Sequence, residues 1–309
     1  MKKYFEEYEK FLKEVREETF KEAEKQAKIL NEFIHDWTRL ISGEKGIFEQ
    51  QINSLPGVIF LHSFKLISWI SYEILSAMYF EALRDLRFVF EGSVYGVIYE
   101  DAIEKEVFDQ LGKRLSSIEL KEEIIELLEI CRNKKVYQKR KVDKVDKEKI
   151  RKIVNEYFSQ ENIRPLVPKE RKKYQNVYIK ILSDERFYLP MREQLKECKK
   201  HLNLEDEDIN ELIEVWRKLS RYSHFSYPYL DFIIRNPRSL FIEMFNKNFL
   251  NESLSLCSKC LDFFYLVFAW RFRRIKKLKN KILQTIKWWK INYPDSFPLT
   301  QRYLDRLIR

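Results

Sequence analysis

The chain contains few glycine, proline and cysteine residues for its length. Its 309 residues include only 6 Gly, 8 Pro and 4 Cys. This scarcity of turn-forming residues excludes a collagen-like chain and a turn-rich β-sandwich, and a hydrophobic fraction of 45% excludes a long disordered chain. The composition therefore predicts a mainly helical protein that is long enough to bury a substantial core.

The cysteines also lack the partners that a zinc site requires. Only Cys257 and Cys260 are close in sequence, and no second Cys pair or His pair accompanies them. His35, His62 and His201 are each isolated from other residues at ligand spacing. We therefore expect buried, reduced thiols, no metal and no other cofactor.

Motifs of several enzyme classes and targeting signals are absent as well. The sequence has no Gly-rich phosphate loop, Gly-x-Ser-x-Gly elbow, His-Glu-x-x-His pair or dinucleotide-binding fingerprint.

The first residues are charged where a signal peptide would be apolar, which predicts a cytoplasmic protein. The apolar segments 57–80 and 261–270 carry charges or are too short for a bilayer, so we interpret both as core helices and expect no membrane span.

Charge is distributed unevenly along the chain. Residues 217–309 carry 19 basic and 6 acidic side chains, a net charge of +13, whereas the remainder carries 39 basic and 42 acidic ones, a net charge of −3. A basic C-terminal third favours a surface for a polyanion, nucleic acid before membrane, because its field concentrates phosphates. A solvated helix face, or the charge-rich surface typical of a heat-stable protein, explains the same composition.

Apolar residues recur at helical spacing along most of the sequence, which predicts an all-α multi-helix bundle with long amphipathic helices. The long helices are expected at 1–41, 58–111, 204–224 and 252–291. The second of these segments can hold one helix or two, with Gly92 and Gly96 as bending or close-packing points. Shorter helices are expected at 118–132, 147–159 and 237–246.

We expect residues 1–309 to form a single all-α unit with three sections. These are N-terminal helices (1–133), a basic linker with an irregular peripheral section (134–203), and a motif helix with basic C-terminal helices (204–309). Within the middle section, the pattern of 174–181 fits a helix or a strand equally well.

The segment from Trp216 to His224 combines arginines with a histidine. On a helix, Arg217, Arg221 and His224 are four and three residues apart, so their side chains form one stripe. Guanidinium groups beside an imidazole are suited to gripping a phosphate with a proton-transfer group at one end.

Arg217, six intervening residues and His224 resemble the motif of the HEPN superfamily, helical proteins of prokaryotic defence, toxin–antitoxin and RNA-processing systems. The segment from Leu219 to His224, read as Leu-Ser-Arg-Tyr-Ser-His, also resembles the ending seen in helical families placed near HEPN. An Arg followed by Glu on an earlier core helix is common there, and this chain has Arg84, Arg87 and Glu91 at helical spacing. Lys218 departs from the pattern, because in the nuclease members the residue after the Arg is usually polar and often Asn, Asp or His.

The resemblance implies an RNA-binding protein that acts as a metal-independent endoribonuclease of a defence or toxin–antitoxin type system. The ribose 2′-hydroxyl would attack the adjacent phosphate and leave a 2′,3′-cyclic phosphate and a 5′-hydroxyl. His224 would be the general base or acid, and Arg217, supported by Arg221, would stabilise the charge on phosphorus. In these families two chains face each other across one cleft, which implies a homodimer.

The same residues also have a structural interpretation. His224 could cap the helix C-terminus, while Arg217 and Arg221 pair with Glu214 or other surface acids. The earlier Arg and Glu residues could form ion pairs within the core. The alternative function is then a non-catalytic helical scaffold or a nucleic-acid-binding interaction protein.

A second basic segment, 271–281, precedes Trp288 and Trp289. Phosphates could take its charge while unpaired bases stack on the rings. We predict phosphate or RNA contacts in both segments, through Arg221, Lys218, Arg271, Arg273, Arg274, Lys276 and Lys277. The alternatives are a solvated helix with both tryptophans in the core, and a peripheral contact with anionic lipid through 271–281.

Overall fold

The computed structural model of the chain describes residues 2–42, 55–111, 118–136, 145–159, 168–223, 245–273 and 276–302. These ranges are almost entirely helical and contain no strand, which confirms the all-α prediction. In chain order the α-helices are α1 (Lys2–Ser42), α2 (Leu55–Leu75), α3 (Tyr79–Leu111), α4 (Ile118–Asn133), α5 (Lys147–Ser159), α6 (Pro168–Leu182), α7 (Met191–Leu202), α8 (Asp206–Ser223), α9 (Lys247–Phe272) and α10 (Lys276–Asn292).

Helices α3 and α9 form the centre of the bundle and run parallel to each other. Phe90 packs on Phe263 with ring centroids 5.3 Å apart, and farther along both helices Glu100 pairs with Arg271 at 2.7 Å. On one side, α1 contacts α2, α9 and α10; on the other, α6, α7 and α8 contact α3. The helices expected to build the bundle therefore do so, with α1 packed along them.

Helix α9 is long and apolar enough, by length and composition, to cross a membrane. Among the residues that the structure describes it is the one helix with this property, and most of its apolar stretch is buried inside the bundle. Every residue from 260 to 270 is buried. Because the core helix of a globular protein meets the same criterion, the finding is weak support for a membrane span.

The described parts of the middle section, 145–159 and 168–203, are largely helical. Residues 174–181 are helical and belong to α6. Helices α6 and α7 contact α3, and they bury Val177 and Leu195 completely. Helices α6 and α7 are therefore part of the core, while residues 137–144, which are rich in lysine, and residues 160–167 lie outside the described ranges.

The break between α2 and α3 occurs at Ala77 and not at a glycine. Ala77 has a left-handed backbone, with φ 60°. Its N–H donates to the carbonyl of Ile74 at 3.2 Å, and the N–H of Met78 donates to the carbonyl of Glu73 at 2.8 Å. These two bonds form a Schellman motif, which ends a helix. The two glycines expected as bending points lie inside the uninterrupted α3.

The single C-terminal helix predicted over 252–291 is in fact two helices, α9 and α10. The guanidinium of Arg273 donates to the carbonyl of Trp270 in the last turn of α9. A continuing helix would use that carbonyl for a backbone bond, so the side chain helps to end α9. The short helix expected at 237–246 lies almost entirely outside the described ranges.

Helix α8 begins with an acidic turn. Its first turn contains Asp206, Glu207 and Asp208, which favour the positive end of the helix dipole. The carboxylate of Asp208 accepts a hydrogen bond from the N–H of Glu205 at 3.0 Å. Asn203 ends α7 in the left-handed conformation.

The four cysteines are free and buried, as expected. Burial raises the pKa of Cys257 to about 12 and raises the pKa of Cys260 as well. Both thiols therefore stay protonated at neutral pH, a state with low nucleophilicity.

Glu73 is a carboxylic acid buried between α2 and α3. Glu73 is only 2% exposed, and its Oε2 has no hydrogen-bond partner in the described part of the chain. Burial, and then the neighbouring carboxylates of Asp85 and Glu81, raise the pKa of Glu73 to about 7.

We predict that Glu73→Gln stabilises the protein at about pH 8. The native state keeps a proton that the unfolded chain releases between the usual pKa of 4.5 and about 7. The wild-type free energy of unfolding therefore falls as the pH rises through that window, and glutamine removes this loss. Urea unfolding should show a gain on the order of 2 kcal/mol at about pH 8 and a much smaller one at about pH 5. Equal stabilities at the higher pH would contradict the prediction, and the exposed Glu129→Gln is the control.

Candidate nucleic-acid site

Helix α8 presents one face to the bundle and one to solvent. Leu212 and Leu219 are buried against the core, whereas Arg217, Lys218 and Arg221 are exposed. This partition follows from the 3.6-residue period, which places the basic residues opposite the apolar ones. The three basic residues singled out in the sequence therefore share the accessible side of the helix.

Arg217 forms an ion pair with Glu214, one helical turn earlier. Both side chains are about half exposed, at 47% and 54%. An exposed pair of this kind contributes only about 0–1 kcal/mol. The pairing is the one that the structural interpretation of the motif predicts, and it is weak enough for a phosphate to replace the carboxylate.

Lys218 and Arg221 project from the same face. In the part of the chain that the structure describes, neither side chain is held by a hydrogen bond or an ion pair to a carboxylate. Their charges therefore add to that of Arg217 on one exposed surface.

His224 lies outside the described residues, as does Arg274. Helix α8 extends to Ser223, the residue directly before the histidine. The position of His224 at the end of the arginine stripe stays a prediction.

The earlier arginine and glutamate residues support α8 from the bundle side. Arg87 Nε donates to Glu91 Oε1 at 2.8 Å, and the same oxygen accepts from Trp216 Nε1 at 3.1 Å. The Arg87 and Glu91 side chains are only 22% and 25% exposed. Glu91 therefore ties α3 to α8 at the residue that precedes Arg217, whereas Arg84 is exposed beside Asp85.

Tyr222 fixes the C-terminal end of α8. Its hydroxyl donates to a carboxylate oxygen of Glu252 at 2.8 Å. Its ring lies 5.8 Å from that of Phe80 on α3 and 6.1 Å from that of Phe249 on α9. Burial, and then the Glu252 carboxylate, raise the pKa of Tyr222. The sequence contains no signal for this contact, because the three helices meet only in the folded chain.

The basic residues after α9 divide into different environments. Arg271 pairs with the buried Glu100, and Arg273 bonds the Trp270 carbonyl and lies over its ring at 5.2 Å. Lys276 and Lys277 begin α10, but their side chains are outside the described part. Arg271 and Arg273 thus have partners within the chain that the sequence pattern does not indicate.

His201 has close neighbours in space although it is isolated in sequence. Its Nδ1 lies 3.7 Å from an oxygen of Asp101, which also pairs with Arg186 at 2.6 Å. Burial lowers the pKa of His201 and favours the neutral imidazole. Because Asp101 and His201 are far apart along the chain, no local sequence pattern indicates this cluster.

Within the described ranges, no group of three or more His, Cys, Asp or Glu side chains is arranged to hold a metal ion. Comparison of the chain with family models, with curated proteins and with solved structures finds no match.

We predict that Glu91→Ala destabilises the fold more than Trp216→Phe. Removing the carboxylate removes the hydrogen bonds that it accepts from both Arg87 and the indole N–H of Trp216, which should lower the free energy of unfolding by about 2 kcal/mol. The Trp216→Phe change removes one bond and leaves the Arg87–Glu91 pair, so we expect a loss of about 1 kcal/mol. Urea unfolding of both variants measures the difference, and a Glu91→Ala variant as stable as wild type would refute the proposed tie.

Proposed function

We propose that the chain is a HEPN-like RNA-binding protein and a metal-independent endoribonuclease, with α8 as the element that contacts the RNA. The observation that carries this proposal is the exposed basic face formed by Arg217, Lys218 and Arg221. The opposite face of α8 is anchored by Glu91 and Tyr222. These contacts fix the helix that carries the basic residues, which limits the reorganisation needed when charge develops in the transition state.

The proposed reaction needs one proton acceptor and fixed positive charge. The 2′-oxygen of a ribose forms a bond to the adjacent phosphorus while its proton passes to a base, and the bond to the 5′-oxygen breaks as that oxygen takes up a proton. His224 carries the proton in one of these steps, and Arg217 and Arg221 stabilise the charge on the phosphoryl oxygens. Two chains facing each other through α8 would place paired motifs in one cleft. We place this dimer in the cytoplasm.

The second candidate function is a non-catalytic helical scaffold or nucleic-acid-binding interaction protein. The ion pair between Arg217 and Glu214 favours it, because this contact gives the arginine a role within the helix. RNA binding without cleavage is the outcome that this alternative predicts.

The first test is cleavage of a labelled mixed RNA in EDTA by wild type, His224→Ala and Arg217→Ala. We expect wild type to produce 2′,3′-cyclic phosphate ends, and each substitution to lower the rate by about 100-fold or more. Arg151→Ala is the matched control, because Arg151 is also exposed and pairs with a glutamate three residues earlier, Glu148. The control should cleave at the wild-type rate.

Two results would contradict the nuclease proposal. One is intact RNA at every concentration of wild-type protein, and the other is cleavage that His224→Ala does not reduce. Binding of RNA that depends on Arg217 without any cleavage would instead support the non-catalytic alternative.

A further inference from the structure

The outward side of α10 combines lysines with exposed apolar side chains. This helix contains six lysines and no acidic residue. Lys287 and Lys290 are exposed, and between and beside them Trp288 and Ile291 are 40% and 80% exposed. Trp288 and Ile291 lie three residues apart, so this surface places an aromatic ring and an apolar side chain beside two exposed lysines.

Trp288 belongs to a group of aromatic rings at the end of α10. Its ring lies 5.7 Å from that of Tyr293 and 5.6 Å from that of Trp289. Tyr293 lines a cavity of about 240 Å³ between α1, α9 and the segment after α10, and Lys25 and Gln26 of α1 form part of its wall. The exposed ring of Trp288 therefore neighbours Tyr293, a residue of this cavity wall.

The position of these rings is fixed by contacts with the core. Trp289 is 2% exposed and packs on Phe297 with centroids 5.0 Å apart. The buried carboxylate of Asp262 on α9 accepts hydrogen bonds from the N–H groups of Leu299 and Thr300, at 2.7 and 2.8 Å. Tyr293 lies between these held positions and is partly buried against the core, and the exposed ring of Trp288 contacts it, so the two rings form a preorganised platform.

We propose that Lys287, Trp288, Lys290 and Tyr293 bind unpaired nucleotides of a single-stranded RNA. The lysines contact phosphates and the rings stack on bases, the combination by which proteins hold single strands. This proposal rests on the proposed RNA-binding function and adds a second contact surface to it. The sequence prediction placed the phosphate contacts at 271–277 and the stacking on both tryptophans. The proposal moves the phosphate contacts to Lys287 and Lys290 and limits the stacking to Trp288 and Tyr293, because Trp289 is buried.

The distribution of apolar side chains on α10 favours RNA over a membrane surface. The regularly spaced apolar residues of this helix face the bundle and are buried; they are Leu278, Ile282, Ile286 and Trp289. Only Trp288 and Ile291 remain outside. An interfacial membrane helix instead turns its whole apolar face toward the lipid.

The test measures binding of a labelled 2′-O-methyl oligouridine, which cannot be cleaved through the 2′-oxygen, by fluorescence anisotropy. We expect Trp288→Ala to weaken binding about tenfold or more and Trp288→Phe to restore most of it, because phenylalanine still stacks. Trp69→Ala is the matched control. Trp69 is also an exposed tryptophan, at 53%, but on α2 it lies close to an acidic group, the carboxyl of Glu73. The double variant Lys287→Gln, Lys290→Gln should bind with a weaker dependence on salt. The slope of log K against log salt concentration should decrease in magnitude by about 0.7 for each phosphate that the variant no longer neutralises.

Unchanged binding by Trp288→Ala, or an equal loss in Trp69→Ala, would overturn the platform. The platform would also be overturned if Trp288→Ala lost binding to phosphatidylserine vesicles but not to RNA. That result would assign this face of α10 to a membrane. The two proposals fail separately. Cleavage that needs His224 with no effect of Trp288→Ala on oligouridine binding removes only the platform, and Trp288-dependent binding without cleavage removes only the nuclease.

Discussion

The parallel packing of α3 against α9 is the contact on which the other helices depend. Parallel neighbours cannot be joined by a short turn, because the chain must first return to the end at which it started. Residues 112–246 make that return, and α6, α7 and α8 pack on α3 on the way. The apolar side of α8 is buried in this packing, which leaves its basic face exposed. Helix α10 lies with α1 on the other side of the central pair.

Carboxylates with low exposure connect the helices at the points that matter for the proposed function. Glu91 holds α8 through Trp216, Glu100 holds Arg271, and Asp262 holds the chain after α10. A partly buried carboxylate is stabilising only when its partners stay in place, so each connection specifies one arrangement of the helices it joins. The proposed contact surfaces, at α8 and at the end of α10, are the exposed sides of helices anchored in this way.

The sequence predicts much of the fold and only part of the site. Helical periodicity placed α5 at its observed bounds, 147–159, and identified α8 and its outward arginines, because burial follows the period of the pattern. It could not place the break at Ala77, which depends on a backbone conformation that alanine rarely adopts. Nor could it separate Trp288 from Trp289: adjacent residues point in different directions on a helix, and only the packing shows which one is buried.

The most direct test of the account is to map where RNA lies on the folded protein. A single-stranded RNA containing 4-thiouridine, cross-linked by light and analysed by mass spectrometry, should attach to peptides of α8 that contain Arg217 to Arg221 and to the end of α10 near Trp288. Cross-links confined to other helices, or no cross-link above the level of an unrelated basic protein, would contradict it.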